Sequence, residues 1–394
     1  MEEKQLKAEL LAELHHNILP FWQRHMTDPE GGFFGRMTGR GELRPDAERS
    51  AILYGRILWT FAAAYRTTGR EEYLRTATQA RDYLLEHFVD RRHGGVFWSV
   101  DAQGRPLDTK KQFYALAFAI YGLSEYARAT GDAQATEEAA ALYRAIEAHS
   151  YDPAGNGYEE AATRDWQPIA DMRLSDKDAN ERRTMNTHLH ILEAYTNLLR
   201  VWPDAALRRQ TRNLLEIFLD RIADPRTGHL GLFFDEHWQL RSEGVYSFGH
   251  DIEASWLMLE TAFVLGNDAL TERTRACCAR IADAALEGYL EDGSLLYERH
   301  ADGTLDRERH WWVQAECVVG LYYLYRFHGR REALAPALKT WSYIRRHLVD
   351  REGGEWWWSI LPDGSVNRRD DKAGFWKCPY HNGRMCMEVA GLIG

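Results

Sequence analysis

The chain has 394 residues, of which 45% are hydrophobic and 27% are charged, as in an ordinary globular protein. Its formal net charge of −10 argues against a nucleic-acid partner, because binding a polyanion requires a positively charged surface. The five cysteines form no C-x-x-C pair, so we expect no disulfide framework or structural zinc site and a reducing, cytoplasmic location. No run of about 18 apolar residues and no secretory leader is present, so we expect neither a membrane span nor export.

The first 65 residues contain the features that organise the chain. Apolar side chains recur at helical spacing and predict an amphipathic helix with one solvent-exposed face. They are Leu6, Leu10, Leu14 and Ile18. A glycine turn at 28–33 follows, and residues 51–65 are apolar nearly all round. Because a helix that is apolar on every side must be buried, this order predicts an outer helix, a turn with a short β-hairpin and an inner helix.

The same order recurs six times, at intervals of roughly 60 to 70 residues. An acidic residue followed by glycine and an apolar or aromatic residue marks the turns at 28–33, 90–97, 152–158, 224–230, 291–295 and 350–356. The inner stretches are 51–65, 112–126, 186–202, 250–265, 312–327 and 381–394. Six such repeats predict an all-α (α/α)6 barrel of twelve helices in two concentric rings, as one domain over 1–394. An open solenoid of helical hairpins is the alternative.

Polar residues interrupt the apolar pattern near the N-terminal ends of the inner stretches. In an (α/α)6 barrel the inner helices all run the same way, so these ends converge at one mouth. We therefore predict a pocket lined by histidine, arginine, glutamate and tryptophan. The interrupting residues are Arg56, Tyr114, Asn186, His188, His190, His250, Glu253, Trp312, Glu316, His381 and Arg384.

The histidines are the candidate acid–base groups. A single histidine on an apolar helix is more often a hydrogen-bonded core residue than a catalyst, but three at one level of a barrel favour catalysis. His250 and Glu253 share a helix face at i,i+3, so the carboxylate is expected to orient the imidazole, or to act as a simple salt-bridge partner. His188 points away from His190 and is expected to be structural.

A metal site competes with this interpretation, because histidine and carboxylate at i,i+3 can share a metal ion. The chain has no HExxH motif or comparable ligand set, and Arg56 and Arg384 would oppose a divalent cation. We therefore expect no metal and no other cofactor.

The third turn, 157–184, is the longest. Its polar residues either fold over the mouth as a lid or form a surface loop without a functional role. Its sequence alone leaves both possibilities open.

The chain resembles the N-acylglucosamine 2-epimerase superfamily, and within it most the cellobiose 2-epimerase branch. The resemblance covers almost the whole length, with one or more segments in nearly every repeat. The matching segments are 55–61 (GRILWTF), 174–178 (LSDKD), 185–190 (MNTHLH), 248–255 (FGHDIEAS), 310–316 (HWWVQAE) and 375–384 (FWKCPYHNGR).

The resemblance implies a role for each matching residue. It makes His250 and His381 the acid/base pair at sugar C2, with His190 assisting ring opening and Glu253 and Glu316 supporting the histidines. The residues that it places around the substrate are Arg56, Tyr114, Asn186, Trp312, Glu316, Trp376 and Arg384, the two tryptophans stacking on sugar rings.

The implied reaction interconverts the reducing-end glucose and mannose of β-1,4-linked disaccharides through an enediolate, without a cofactor. A small sugar is then the only partner expected of a monomer or weak dimer. The alternatives on this scaffold are a mannose 2-epimerase or aldose–ketose isomerase, an N-acylglucosamine 2-epimerase, a glycoside hydrolase and a non-catalytic sugar-binding barrel. Hydrolysis requires two facing carboxylic acids, and this mouth is richer in histidine.

Overall fold

The computed structural model describes residues 2–393 and contains twelve main helices in two concentric rings, as predicted. Odd-numbered helices form the outer ring and even-numbered helices the inner ring. They are α1 (Glu2–Glu13), α2 (Ala51–Thr68), α3 (Glu71–Tyr83), α4 (Phe113–Thr130), α5 (Ala133–His149), α6 (Met185–Leu199), α7 (Ala205–Ile217), α8 (Phe248–Leu265), α9 (Asp268–Ala285), α10 (Trp311–Phe327), α11 (Leu334–Tyr343) and α12 (Tyr380–Leu392). The last inner stretch was predicted to reach residue 394, but Met1 and Gly394 lie outside the described residues.

Most outer helices end in a widened turn. A five-residue π-helical segment closes four of them, at Trp22–Met26, Leu84–Phe88, Phe218–Ile222 and Ile344–Leu348. A further five-residue π-helical segment, Leu14–Ile18, continues α1. Three-residue helical segments extend the outer helices at Leu19–Phe21, Leu286–Gly288 and Arg331–Ala333. A π-turn interrupts the regular i→i−4 ladder, and here it coincides with the point where the chain turns inward.

The inner helices close into a ring. Each one contacts the next in chain order, and α12 contacts both α10 and α2. Their side chains are buried almost throughout, as the apolar sequence predicts. Contact between the last and the first inner helix is absent from an open solenoid, so the alternative architecture is wrong. In the part of the chain described, no helix combines the length and the apolar character needed to cross a membrane.

Short antiparallel strands connect neighbouring repeats at the mouth end. The strand that precedes an inner helix pairs with the hairpin of the next repeat in five cases, β1 with β2, β4 with β7, β8 with β9, β10 with β11 and β13 with β14. The strands are β1 (Arg49–Ser50), β2 (Ser99–Val100), β3 (Pro106–Asp108), β4 (Lys111–Gln112), β5 (Tyr151–Asp152), β6 (Gly157–Tyr158), β7 (Ala161–Ala162), β8 (Arg183–Thr184), β9 (Phe233–Phe234), β10 (Tyr246–Ser247), β11 (Glu298–Arg299), β12 (Leu305–Asp306), β13 (Arg309–His310) and β14 (Ser359–Ile360). This pairing sets the height at which the first five inner helices begin.

The recurring glycine signature is a tight turn, and in the first repeat a buried ion pair stabilises it. Gly32 has a φ of +71°, and a Cβ there would lie 2.5 Å from both the hydroxyl oxygen of Tyr54 and a ring carbon of Tyr83. The acidic residue of the same turn, Asp28, forms an ion pair with the buried Arg49, just before α2. Glycine is therefore required for space and backbone conformation, and the acid anchors the inner helix to its turn.

A second buried ion pair ties the last repeat to the first. The Glu355 carboxylate accepts hydrogen bonds from Lys377 Nζ at 3.0 Å, from the indole of Trp22 at 2.8 Å and from Asn382 Nδ2 at 2.6 Å. Both charged side chains are fully buried, and burial lowers the pKa of Lys377 although Glu355 opposes the shift. One carboxylate thus joins the sixth turn, the N-terminal helical region and α12.

Replacing Glu355 by glutamine tests this connection. The change leaves the Lys377 ammonium buried without a counter-charge, and loss of one partner of a buried pair costs about 3–5 kcal/mol of unfolding free energy. We expect a clear fall in the thermal unfolding midpoint of Glu355→Gln. Glu352→Gln, at an exposed position in the same turn, is the control and is expected to unfold with the parent. Equal midpoints for all three proteins would contradict the role given to this pair.

Candidate active site

The predicted mouth residues meet at the N-terminal end of the inner ring. Neighbouring side chains contact one another around it: Arg56 Nη2 donates to the Tyr114 hydroxyl at 2.8 Å, and the Tyr114 ring lies 5.0 Å from His190. On the other side, Trp312 lies 4.9 Å from His250 and 5.6 Å from His381 between ring centroids. Residues from all six inner helices therefore surround one space.

Three imidazoles in this mouth are held in the same way. The Nδ1 atom of each is bound from behind: His190 by Glu193 Oε2 at 2.8 Å, His250 by Ser247 Oγ at 2.7 Å and His381 by Glu316 Oε1 at 2.7 Å. Within residues 2–393, no hydrogen bond is made by any of the three Nε2 atoms. Each ring thus has one nitrogen occupied and the other free for a reacting group.

Arg384 links the supporting carboxylates behind these rings. Its Nη2 lies 2.7 Å from Glu253 Oε1 and 2.7 Å from Glu316 Oε1, and its Nη1 donates to Glu193 Oε1 and to the Tyr380 hydroxyl. The guanidinium is completely buried. A substrate contact was expected for Arg384 and Glu316, but both lie behind the histidines, because Glu316 binds His381 and Arg384 binds the carboxylates.

Glu253 also has a different partner from the one expected. Its carboxylate does not bind His250, whose Nδ1 is taken by Ser247; it binds Arg384, and it lies 3.8 Å from His381 Nδ1. The i,i+3 spacing placed Glu253 and His250 on one helix face, but the buried arginine from α12 offers the stronger interaction. Glu253 therefore supports the network rather than His250.

The three carboxyls around one guanidinium do not carry equal charge. Burial raises the pKa of Glu253, and the neighbouring Glu316 raises it further; burial raises the pKa of Glu193 as well. Burial alone would also raise the pKa of Glu316, but Arg384 and the hydrogen bond from His381 outweigh it and lower the pKa. Negative charge is therefore concentrated on the carboxylate that binds His381.

The imidazoles are neutral near pH 7. Burial lowers the pKa of His250 to about 3, with a smaller contribution from His190. Burial also lowers the pKa of His381 to about 3, although the Glu316 carboxylate favours the protonated form. The pKa of His190 is lowered well below its ordinary value by burial, Arg56 and Arg384. A neutral imidazole with a free Nε2 can accept or donate a hydrogen bond at that atom, according to its tautomer.

One group of possible metal ligands occurs in the described chain. Ligand atoms of Glu253, Glu316 and His381 lie within 4.8 Å of one another. Arg384 Nη2 is 2.7 Å from an oxygen of each carboxylate, so a divalent cation would meet a fixed positive charge at the same oxygens. The residues therefore do not fit a metal ion.

The mouth also contains the groups expected to bind a substrate. Arg56 lies over the ring of Phe118 and donates from Nη1 to the Trp376 carbonyl oxygen at 3.2 Å. The Asn186 Oδ1 is buried and has no hydrogen-bond partner among residues 2–393. Trp312 and Trp376 are partly exposed. Together these residues offer a buried cation, a free acceptor and two indole surfaces.

The long third turn is anchored at the mouth end of the barrel. Gln112, immediately before α4, donates from Nε2 to the carbonyl oxygens of Met172 at 3.1 Å and Arg173 at 2.9 Å. The segment also contains internal bonds, such as Asn180 Nδ2 to the Ala170 carbonyl at 2.8 Å. Hydrogen bonds thus hold the loop at the barrel end, and its two possible roles, as a lid or as a surface loop without a functional role, both stay predictions.

Sequence reasoning missed Glu193, Ser247 and Tyr380. Glu193 stands three residues after His190, so the same i,i+3 rule that paired Glu253 with His250 would have found it. Ser247 stands three residues before His250 as the N-cap of α8, a position where serine is common for capping alone. His188 is structural as expected: Thr184 O binds its Nδ1 at 2.7 Å, and its Nε2 accepts from the backbone N–H of Tyr158 at 3.0 Å.

The fold and the site together define an (α/α)6 barrel with a mouth lined by histidines. The family model for N-acylglucosamine 2-epimerase (GlcNAc 2-epimerase) matches residues 32–382, and the chain belongs to this family. It is an enzyme of the isomerase class.

Similar proteins agree with this assignment. The chain is 57% identical over 388 residues to cellobiose 2-epimerase of Bacteroides fragilis, covering 98% of this chain and 99% of that protein. The solved cellobiose 2-epimerase of Bacillus thermoamylovorans B4167 superposes with a TM-score of 0.94 at 39% identity, covering 98% and 99% of the two chains. D-mannose isomerase of Marinomonas mediterranea is 24% identical over 399 residues, 97% of each protein.

The lowered pKa values predict that neither His250 nor His381 titrates near neutrality. We expect the imidazole Hε1 resonances of both residues to keep constant chemical shifts from pH 8 to pH 5, whereas a histidine with an ordinary pKa of about 6.5 titrates in that range. The resonances are assigned by their loss in His250→Gln and His381→Gln. A sigmoidal shift centred between pH 6 and 7 for either resonance would contradict this description of the site.

Proposed function

We propose that this enzyme is a sugar 2-epimerase that acts on the reducing-end unit of β-1,4-linked disaccharides such as cellobiose, lactose and mannobiose. The observation that carries the proposal is the pair of neutral imidazoles, His250 and His381, which flank Trp312 with both Nε2 atoms free. Removing a proton from one face of a carbon and returning one to the other face requires two such groups.

The chemistry begins with opening of the reducing-end ring to an aldehyde. The C2–H bond is then acidic, because the negative charge left by the proton spreads into an enediolate. One of the two imidazoles accepts the C2 proton on its free Nε2. The other donates the hydrogen on its Nε2 to C2 from the opposite face, which inverts the configuration and interconverts glucose and mannose. The imidazolium formed in the first step then returns a proton to this ring, so that both imidazoles end neutral.

The remaining mouth residues have supporting roles in the proposed reaction. Arg56, positively charged and positioned by Tyr114 and the Trp376 carbonyl, stabilises the developing oxyanion; preorganised charge of this kind contributes strongly in a dry site. Asn186 binds a sugar hydroxyl at its free Oδ1. His190, held by Glu193, transfers the proton that ring opening and closing require.

Disaccharide preference rests on the relatives and on two aromatic side chains. Proteins 57% and 39% identical to this chain are named cellobiose 2-epimerases. Trp312 and Trp376 provide partly exposed indole faces, which pack well against the apolar face of a pyranose. We assign them as platforms for the sugar rings.

Among the alternatives, a hydrolase is poorly supported by the carboxyl groups. Hydrolysis uses two carboxyl groups on either side of the scissile bond, but Glu193, Glu253 and Glu316 all bind Arg384 behind the imidazoles. A mannose 2-epimerase or mannose isomerase shares the histidine pair, and substrate size distinguishes it from the proposed enzyme.

Heavy water provides the test. The protein is incubated in heavy water with cellobiose, lactose, mannobiose, mannose and N-acetylglucosamine, and NMR follows deuterium at C2. We expect incorporation with inversion for the disaccharides, at rates well above those for the two monosaccharides. Turnover of mannose as fast as cellobiose would replace the disaccharide assignment by the mannose one, and no C2 deuterium in any sugar would overturn the proposal.

The histidine pair is tested in the same assay. His250→Ala and His381→Ala each remove one proton carrier, so we expect each to lose at least about a hundredfold in epimerisation rate, the lower bound for general acid–base catalysis. Thermal midpoints close to that of the parent show that the fold is retained. His25→Ala, at an exposed position on the outer ring, is the control with parental activity. Near-parental turnover by either variant would remove that histidine from the mechanism.

A further inference from the structure

The two imidazoles proposed to act at C2 have chemically different partners behind them. His381 Nδ1 lies 2.7 Å from a carboxylate oxygen of Glu316, whereas His250 Nδ1 lies 2.7 Å from the hydroxyl oxygen of Ser247. A carboxylate can only accept a hydrogen bond, but a hydroxyl can donate one and accept others. This difference has a consequence for where each ring carries its hydrogen.

The carboxylate determines the tautomer of His381. Glu316 Oε1 already receives a hydrogen bond from Arg384 Nη2 at 2.7 Å, and Glu316 Oε2 receives one from the Trp256 indole at 2.9 Å. With both oxygens acting as acceptors, the His381 Nδ1 must carry the hydrogen. Its free Nε2 then presents a lone pair to the mouth.

The hydroxyl of Ser247 leads to the opposite result. Ser247 is the N-cap of α8, and its Oγ accepts the backbone N–H of His250 at 3.4 Å. Ser247 is buried, and within residues 2–393 its Oγ makes hydrogen bonds to no residue except His250. The single hydroxyl hydrogen therefore has one acceptor, the His250 Nδ1, and the ring hydrogen is left on Nε2.

We propose that Ser247 is a positioning residue that holds His250 with its hydrogen on Nε2, so that His250 offers a donor and His381 an acceptor in the free enzyme. The assignment deepens the proposed epimerase function and rests on it for its catalytic meaning. Two neutral imidazoles then form a matched acid–base pair without either ring being charged. Because the hydroxyl can rotate, His250 can also take the other tautomer, with a lone pair on Nε2, which a carboxylate in place of Ser247 would prevent.

Capping alone is the competing explanation of Ser247. Thr184 has the same position before α6, where its side chain accepts the backbone N–H of Thr187 at 3.1 Å. No imidazole is bound by the Thr184 hydroxyl in the described chain. Loss of either hydroxyl removes one cap, but only loss of the Ser247 hydroxyl changes the partner of a mouth histidine. Aspartate is a good N-cap, so capping alone predicts that Ser247→Asp behaves like the parent.

The test combines a spectroscopic measurement with a rate. Nitrogen-15 NMR of the histidine-labelled, ligand-free protein reports which ring nitrogen of His250 carries hydrogen, with the signals assigned by His250→Gln. We expect hydrogen on Nε2 in the parent and in Ser247→Thr. In Ser247→Asp the carboxylate requires hydrogen on Nδ1, and C2 deuterium incorporation is expected to fall at least about tenfold, since a wrong tautomer impairs catalysis.

The controls separate the possible outcomes. Thr184→Ala and Ser247→Ala are expected to lower the thermal midpoint similarly, but only Ser247→Ala is expected to slow C2 exchange. Hydrogen on Nδ1 of His250 in the parent overturns the assignment, whether or not the Asp variant folds. A Ser247→Asp protein that has hydrogen on Nδ1 but parental rates also overturns it. The tautomer is measured without a sugar, so failure of the epimerase function would be seen separately, as absence of C2 exchange in the parent.

Discussion

One buried guanidinium holds the mouth end of the barrel together. Arg384 reaches from α12 across the inner ring to carboxyls on α6, α8 and α10. An arginine is suited to this position because its planar group has several fixed donors and stays charged at neutral pH. Removing one member of such a buried network leaves the other charges unpaired, at a cost of several kcal/mol. The positions of His190 and His381 therefore depend on a residue that neither of them touches.

The same network determines the charge of the site. Burial raises the pKa values of Glu253 and Glu193, whereas at Glu316 the effects of Arg384 and His381 outweigh burial, so that Glu316 keeps the negative charge. Burial keeps the mouth imidazoles neutral. A site with neutral imidazoles and a separate cation at Arg56 suits abstraction of a weakly acidic carbon-bound proton, because the guanidinium can stabilise the negative charge that develops on the sugar oxygens.

The fold could be predicted because its information is local and repeated. The glycine signature and the apolar stretches located every inner helix within a few residues; the stretch expected at 250–265, for example, is Phe248–Leu265. The largest error is at the end of the second inner helix, which continues to Thr130 instead of stopping at 126. Residues at the N-terminal ends of these helices were gathered into one mouth, as the common direction of the inner helices predicts.

The partners of those residues could not be predicted in the same way. The i,i+3 rule assigned Glu253 to His250, but it describes only one helix, and Arg384 approaches Glu253 from the other side of the barrel. Which side chains meet across a ring of six helices depends on ring closure and on side-chain length, and neither is visible as a spacing in the sequence. Ser247 was missed because a serine at an N-cap has an ordinary explanation.

A crystal structure with an open-chain substrate analogue would test directly whether His250 and His381 both face C2 of the sugar. Reduced cellobiose, whose reducing-end unit is a linear polyol, mimics the opened sugar without reacting. We expect C2 of the polyol to lie between His250 and His381. Each Nε2 should be within about 3.5 Å of C2, the separation of reacting atoms in a near-attack arrangement. A complex in which C2 approaches only one of these nitrogens, or in which another residue faces C2, would contradict it.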